Sequence, residues 1–223
     1  MACLIIDNVS KRFGGVKALD KVSFAIDDGE LVGLIGPNGS GKTTLINVLS
    51  GHLVPDSGRV TLDDRPIDGR RPEQLARQGI MRTFQLTRVF PRMSVLDNLI
   101  VTGCALGLAD YEAERRAHTL VDDLSLSRVA DLDAGHLSGG QLKLLEFGCC
   151  FMLPPRIALL DEPFAAIHPT MKEVMAGFIR RRHAEEQTFM IVDLPAPLSP
   201  IRPVIAASAT DTSMPRKMSI SAT

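Results

Sequence analysis

Eight consecutive residues combine glycine, lysine and threonine at a spacing that can bind phosphate. They read Gly36-Pro37-Asn38-Gly39-Ser40-Gly41-Lys42-Thr43, which is the pattern of a P-loop. The glycines allow backbone N–H groups to turn toward phosphate oxygens, and a helix starting near Lys42 would direct its positive end at the same oxygens. Lys42 is suited to the outer phosphates, and the Thr43 hydroxyl is suited to Mg²⁺.

An acidic pair, Asp161-Glu162, follows a second apolar segment at 156–160. If that strand is a neighbour of the strand before the P-loop, both carboxylates emerge beside the phosphates. Asp161 would then hold Mg²⁺, directly or through water, and Glu162 would polarise the attacking water as a general base. The other interpretation of the pair is an acidic strand end that faces solvent.

A third segment, Leu137-Ser138-Gly139-Gly140-Gln141, opens a predicted helix with Ser138 as its N-cap. Exposed amides at a helix start form a second anion site, and one triphosphate does not need two such helix ends from one chain. We therefore expect this segment to serve a nucleotide held by another copy, in a head-to-tail pair that encloses two nucleotides. A simple helix cap would not need both glycines, because each one costs helix stability.

The elements around these residues alternate between strands and helices. The apolar segment Leu31–Ile35 predicts a strand buried on both faces, and a helix over 42–50 should end at Gly51. Other predicted strands are 3–7, 22–26, 59–62 as an edge strand, 80–84, 156–160 and 188–192. Apolar residues recur at helical spacing from Ser94, a predicted N-cap, to about 131, and helices are also predicted over 139–153 and from 169 to about 183.

Composition limits the classes of protein that fit. The chain has 223 residues, of which 45% are hydrophobic and 23% charged, with a net charge of −1; this argues against nucleic-acid binding through bulk charge. No apolar stretch approaches the ~18 residues of a membrane-spanning helix, and an acid too early in the sequence argues against a secretory signal. Four cysteines at 3, 104, 149 and 150 lack metal-ligand spacing, which favours a reducing cytosol.

The composition changes after residue 193. Residues 195–223 contain five of the fourteen prolines, and Val204-Ile205 is their one apolar pair. Such a segment buries too little surface to offset its ordering entropy, so we expect it to be mostly disordered or poorly packed.

These motifs together resemble the ATP-binding cassette (ABC) family, and the resemblance covers residues 1–193. It implies an α/β fold of the P-loop NTPase class, an ABC ATPase core with a mixed sheet and an inserted helical subdomain at about 86–153, followed by a proline-rich tail at 194–223. It implies ATP and Mg²⁺ as cofactors and ATP hydrolysis as the activity.

The resemblance also assigns residues. Leu137–Gln141 corresponds to the family's signature motif, Gln85 to the glutamine that contacts Mg²⁺ and couples the site to a membrane subunit, and Phe13 to the aromatic that stacks on adenine. The metal residues are Thr43, Gln85 and Asp161, and the catalytic residues are Glu162 and Gln85. The nucleotide-binding residues are Phe13, Gly36, Asn38, Gly39, Ser40, Gly41, Lys42, Thr43, Thr44, Ser138, Gly139, Gly140 and Gln141.

Two segments, 12–19 and Arg82-Thr83-Phe84-Gln85, look most similar to subunits of branched-chain amino-acid importers. This branch implies a second cassette subunit, transmembrane permease subunits, an indirect solute-binding protein, and a cytoplasmic location on the inner face of the plasma membrane. Docking on the permease is expected through the Gln85 region and the 90–131 lobe, with Phe90-Pro91 and Met93 as contact or core residues. The alternatives are a soluble ABC ATPase of translation or DNA repair, and a truncated product without function.

The chain departs from the family in three places. The family has a γ-phosphate-contacting histidine just after the strand that matches 188–192, but Asp193 and Leu194 follow here, and His183 is interpreted as a solvated helix end. The later strands and helices of the family are not recognisable in the tail. A shift of reading frame would produce an abrupt change of this kind. Cys149-Cys150 stands where relatives have Arg-Ala, and His168 replaces an aspartate or asparagine. We expect ATP binding with much reduced turnover.

Overall fold

Two β-sheets and a set of helices make up the described part of the chain. The computed structural model describes residues 2–83, 89–165, 167–192 and 202–205. The strands are β1 (Ala2–Phe13), β2 (Val16–Asp27), β3 (Leu31–Ile35), β4 (Ser57–Leu62), β5 (Arg65–Pro66), β6 (Ile80–Arg82), β7 (Ile157–Leu160), β8 (Phe189–Val192) and β9 (Arg202–Ile205). The helices are α1 (Lys42–Leu49), α2 (Pro72–Arg77), α3 (Val95–Ala105), α4 (Asp110–Asp123), α5 (Gly139–Cys149) and α6 (Pro169–Ala184). The predicted α/β class is therefore confirmed.

The parallel sheet supports the P-loop and the acidic pair. Its strand order is β6-β7-β8-β3-β9, and every pairing in it is parallel. Alternate residues of β7 face two different cores, with Ile157 and Leu159 on one side and Ala158 and Leu160 on the other. Burial on both faces explains why these strands are continuous apolar runs in the sequence.

The antiparallel sheet has the strand order β2-β1-β4-β5. Its two long strands extend well beyond the predicted 3–7 and 22–26, because register shifts interrupt the alternation of apolar and polar residues. Asn8 and Lys21 have positive φ angles of 51° and 50° in the middle of these strands. The prediction of 59–62 as an edge strand is wrong, because β4 lies between β1 and the two-residue β5.

Helices α3, α4 and α5 form a helical lobe between β6 and β7 in the sequence. The predicted N-cap is confirmed, since Ser94 Oγ accepts a hydrogen bond from the Asp97 backbone N–H at 2.9 Å. The long predicted helix over 139–153 is shorter than expected, because α5 ends at Cys149. Phe147 of α5 packs edge-on against Phe178 of α6, with ring centroids 5.2 Å apart, and this contact joins the lobe to the core under the sheet.

Four residues of the proline-rich tail form a strand that the sequence analysis did not predict. β9 pairs in parallel with β3, with Val32 opposite Arg202 and Ile35 opposite Ile205. Pairing of this kind uses backbone groups and needs no long apolar pattern. Pro203 lacks an N–H donor and is tolerated because β9 is the outer strand of the sheet. The remaining tail residues, and Phe84, Gln85, Leu86, Thr87, Arg88 and Ala166, lie outside the described residues.

Within the described residues, none of the helices has the length and apolar character required to cross a membrane.

Candidate functional site

The P-loop lies between β3 and α1, as the sequence predicts. Gly39 and Gly41 have positive φ angles of 81° and 90°, in the left-handed region that glycine enters at little cost. Gly41 is the N-cap of α1 and has no side-chain capping bond. The amides at the start of α1 therefore remain directed at the space above the loop, where an anion would satisfy them.

Two polar side chains of the loop are buried. Ser40 is 4% exposed, and its Oγ has no hydrogen-bond partner among the described residues. Lys42 is 7% exposed, and its Nζ donates to the carbonyl oxygens of Gly36 at 2.6 Å and Pro37 at 3.2 Å. Since a buried polar atom without a partner is costly, Ser40 and its surroundings fit a ligand that supplies acceptor oxygens.

Asp161 lies at the carboxyl end of β7 and is 3% exposed. Its Oδ2 accepts from Arg82 Nη2 at 2.9 Å, and its backbone N–H donates to Thr83 Oγ1 at 3.1 Å. The other carboxylate oxygen, Oδ1, is buried and has no hydrogen-bond partner in the described part of the chain. This oxygen is free to bind a cation.

The condition placed on the acidic pair is not met as stated, because β8 separates β7 from β3 in the sheet. Arg82 nevertheless connects Asp161 to the helix of the P-loop. Its Nη1 donates to Asn47 Oδ1 of α1 at 2.6 Å and to Ser50 Oγ at 3.0 Å. One guanidinium therefore contacts both the P-loop helix and the acidic pair, so the two motifs share one region of the sheet's carboxyl end.

Glu162 follows Asp161 at a sharp turn of the backbone. Its φ of 47° is in the left-handed region, which a non-glycine residue seldom adopts. The Ala165 N–H donates to the Glu162 carbonyl oxygen at 3.1 Å and closes the turn. Conformations of this kind concentrate at functional sites, where the surrounding structure enforces them. The turn leaves Glu162 partly exposed next to the buried Asp161.

The predicted cap of α5 is confirmed. Ser138 Oγ accepts from the Gln141 N–H at 3.3 Å, and Gln141 Oε1 accepts from the Ser138 N–H at 2.9 Å. A Cβ added at Gly139 would meet nothing within 4 Å, whereas one at Gly140 would lie 3.3 Å from Met171 Cγ of α6. Gly139 therefore faces open space, and Gly140 has a packing reason to be small that the sequence did not show.

Phe13 lies at the end of the hairpin of β1 and β2, opposite Val16. Phe13 is 48% exposed and Val16 68% exposed. Further along β2, the carbonyl oxygen of Ala18 lies close to Gly41, so this hairpin passes beside the P-loop. The two side chains offer an apolar surface near the loop that an aromatic base could cover.

The remaining candidates of the P-loop lie in its exposed part and in the first turn of α1. Asn38 and Thr43 are exposed and Thr44 is half-buried. Gln85 lies outside the described residues, so the structure does not test its assigned role.

One buried side chain makes several hydrogen bonds to residues 90–94. Asn98 is 2% exposed; its Oδ1 accepts from the Phe90 N–H at 2.7 Å, and its Nδ2 donates to the Ser94 carbonyl oxygen at 2.8 Å. Phe90 is 55% exposed and Met93 is half-buried. Of the proposed contact residues, Phe90 is therefore a surface residue and not part of the core.

The residues that depart from the family pattern have local structural roles. Burial raises the pKa of the Cys149 thiol to about 11 and that of Cys150 well above its usual value. Both thiols therefore stay protonated, and Cys150 Sγ donates to the Arg82 carbonyl oxygen at 3.3 Å. His168 is the N-cap of α6, where its Nδ1 accepts from the Thr170 N–H at 3.4 Å.

Sequence analysis missed the part that Arg82 and Asn47 play in the site. From the sequence, Arg82 and Thr83 indicate only a branch of the family and no contact with Asp161. The available signal was their position at and just after the end of β6, ahead of Phe84 and Gln85 in the sequence. The pairing itself could not be predicted, because it depends on the strand order that brings β6 next to β7.

Known proteins resemble this chain in sequence and in fold. A sequence profile described as ABC transporter matches residues 19–165. The probable branched-chain amino acid transport ATP-binding protein LivG of Methanocaldococcus jannaschii is 36% identical over 206 residues, which cover 86% of this chain and 80% of the relative.

Solved structures match the fold over most of its length. The ADP conformation of MJ1267, an ATP-binding cassette of an ABC transporter, superposes with a TM-score of 0.81 at 34% identity, covering 93% of this chain and 88% of that one. The dimeric structure of MJ0796, a bacterial ABC transporter cassette, gives a TM-score of 0.76 at 26% identity, with 85% and 87% of the two chains covered.

Two glycines of the loop provide a matched test of its geometry. A Cβ at Gly41 would lie 2.4 Å from the Ala18 carbonyl oxygen, whereas one at Gly39 would meet nothing within 4 Å. Both substitutions place alanine at a positive φ angle, which costs each variant about 1–2 kcal/mol of stability. We expect Gly41→Ala to lower the thermal midpoint of the nucleotide-free protein clearly more than Gly39→Ala, measured by differential scanning fluorimetry. Equal midpoints would contradict the close contact between β2 and the loop.

Proposed function

The chain belongs to the ABC transporter family, and on this premise we propose that it is the ATP-binding subunit of an importer for branched-chain or related amino acids. The solute is taken from the function named for relatives such as LivG, which is 36% identical to this chain over 206 residues. The motif 82–85 and the segment 12–19 support the same branch. The nucleotide would bind in the region between the P-loop and the acidic pair.

One observation carries the proposal of magnesium–nucleotide binding. Ser40 Oγ and Asp161 Oδ1 are both buried and both without hydrogen-bond partners among the described residues. A hydroxyl that can donate and a carboxylate oxygen that can bind a cation fit a phosphate with its metal ion. Arg82 connects the two motifs through α1 and Asp161, which supports a single site.

The residues of this site divide the work of phosphoryl transfer. The amides of 36–44 and the Lys42 ammonium would bind the phosphate oxygens, and Thr43 with Asp161 would hold Mg²⁺. When bound, the metal ion would neutralise part of the phosphate charge. Glu162 would orient a water and accept its proton, and Gln85 is proposed to contact the metal on the strength of the resemblance.

Phe13 is proposed to stack on the adenine ring. It is one of the few large apolar side chains that the described structure leaves about half exposed, and its hairpin passes beside Gly41. Lys11 Nζ lies 5.9 Å from the ring centroid, on one side of the phenyl ring. An aromatic ring in this position would bind a base through its π face without reading its edge.

Three kinds of partner complete the proposed function. A second cassette would place its Ser138–Gln141 segment against the nucleotide of this chain, because one chain does not need two helix starts for one triphosphate. Permease subunits would dock near Gln85 and Phe90, and a solute-binding protein would act through them. The protein would accordingly lie at the cytoplasmic face of the plasma membrane.

Hydrolysis is proposed to be weak even where binding is intact. Asp193 and Leu194 follow the strand after which the family has its γ-phosphate histidine. Loss of one group that positions the phosphate and the water commonly costs ~10²–10³-fold in rate. The P-loop contacts do not depend on that histidine, so binding and turnover separate in this chain.

The first test concerns Lys42. We expect Lys42→Ala to weaken MgATP binding by about tenfold to a hundredfold, because it removes charged hydrogen bonds to phosphate. Isothermal titration of the purified chain gives the affinity, and Lys172→Ala on α6 is the control for loss of a lysine elsewhere. Equal affinities for Lys42→Ala and the unaltered chain would contradict the proposed site.

The second test concerns turnover. We expect the unaltered chain to bind MgATP and yet release phosphate slowly, because the histidine is missing, and Glu162→Gln to lower this slow rate further, because the general base is lost. A continuous phosphate-release assay at saturating MgATP compares the two. A rate typical of the family that disappears in Glu162→Gln would show that this chain is a competent ATPase.

The third test concerns the second cassette. Gly139→Asp adds a carboxylate where a Cβ meets nothing within 4 Å, so the monomer should fold normally. The added charge would repel the partner's triphosphate, and we expect ATP-dependent dimers to disappear in analytical ultracentrifugation while MgATP still binds the monomer. Gly177→Asp on α6 is the matched control. Dimers that persist in Gly139→Asp would exclude the head-to-tail arrangement.

A further inference from the structure

We propose that Arg82 and Thr83 are positioning residues that fix the Asp161 carboxylate so that Oδ1 is presented to the metal ion of the bound nucleotide. The inference rests on the proposed function, because it concerns the same metal site. It gives a physical role to two residues that the sequence offered only as a marker of a family branch.

The guanidinium of Arg82 is held at two points. Its Nη2 donates to Asp161 Oδ2 at 2.9 Å, and its Nη1 donates to Asn47 Oδ1 at 2.6 Å and to Ser50 Oγ at 3.0 Å. The side chains of Arg82 and Asp161 are only 8% and 1% exposed. Because Asn47 is on α1, the direction of the carboxylate is set relative to the P-loop helix.

Thr83 holds Asp161 from the backbone side. Its Oγ1 accepts a hydrogen bond from the Asp161 N–H at 3.1 Å, and its own N–H donates to the Leu159 carbonyl oxygen at 3.1 Å. Asp161 is therefore held both at its carboxylate oxygen Oδ2 and at its backbone N–H. The other oxygen of this carboxylate, Asp161 Oδ1, is buried and has no hydrogen-bond partner in the described structure.

The positive charge of Arg82 suits it to the position next to the buried Asp161 carboxylate. A buried carboxylate without a positive partner is costly, and Arg82 compensates Asp161 when no metal is bound. The carboxylate can bind the guanidinium and a metal ion at the same time, because the guanidinium contacts Oδ2 and leaves Oδ1 for the metal. Partners that orient a metal ligand in this way commonly contribute about 10–100-fold in metal affinity.

Arg82 and Thr83 are close in the sequence to Gln85, the residue assigned to coupling with a membrane subunit. Arg82 and Thr83 directly precede Phe84 and Gln85 in the sequence. The contact that orients the metal carboxylate is therefore made by the end of β6 from which the Gln85 segment begins. A shift of β6 would change the position of Asp161 through the same hydrogen bonds.

The experiment measures metal enhancement, defined as the ratio of ATP affinity with saturating Mn²⁺ to ATP affinity in EDTA. It uses the full chain and a fluorescent ATP analogue, and it does not depend on turnover. The variants are Arg82→Lys, which keeps the charge but loses the fork, and Thr83→Val, which keeps the shape but loses the acceptor. Thr83→Ser restores the hydroxyl, and Arg156→Lys removes a fork to Asp63 at a distant surface as the control.

We expect Arg82→Lys and Thr83→Val to lower the metal enhancement about 10–100-fold while ATP affinity in EDTA stays within about threefold. Thr83→Ser and Arg156→Lys should match the unaltered chain. Thermal midpoints identify a variant that has failed to fold. If Arg82→Lys does not fold, the comparison of Thr83→Val with Thr83→Ser decides the inference.

Unchanged enhancement in both folded variants would overturn the inference, and a larger enhancement in Arg82→Lys would show that the arginine competes with the metal. An unaltered chain that binds no ATP would instead refute the proposed function itself.

Discussion

A buried carboxylate requires a positive partner, and the carboxyl end of the parallel sheet is built around that requirement. Asp161 is held by Arg82, and Arg82 is held in turn by Asn47 of the P-loop helix. These contacts link β7 to α1 although β8 separates β7 from β3, the strand that precedes α1. The backbone pairing of β3, β8 and β7 sets the spacing of the phosphate loop and the acidic pair, and this guanidinium adds a direct side-chain link between them.

Local signals in the sequence predicted the parts that depend on short-range chemistry. Glycines at 36–41 predicted a turn that side chains would obstruct, Ser138 predicted a helix cap, and the apolar run of β3 predicted burial on both faces. Each of these can be deduced from residues within one element, and the structure has them where the sequence placed them.

Long-range relations were outside the reach of sequence analysis. The strand order put β8 between β7 and β3, and the bulges around Asn8 and Lys21 hid the true length of β1 and β2. β9 was missed because its pairing with β3 uses backbone groups in a segment with little apolar content. The contact of Arg82 with Asp161 was missed for a related reason, since it follows from the pairing of β6 with β7.

The central claim is that backbone amides of 36–44 bind a triphosphate and that Asp161 lies beside it and binds its metal ion. Hydrogen–deuterium exchange followed by mass spectrometry tests this directly, with ATP in EDTA, with MgATP and without nucleotide. The account predicts protection of peptides covering 36–44 with either form of ATP, and additional protection around 160–163 only when Mg²⁺ is present. Identical exchange at 36–44 in all three conditions would contradict it.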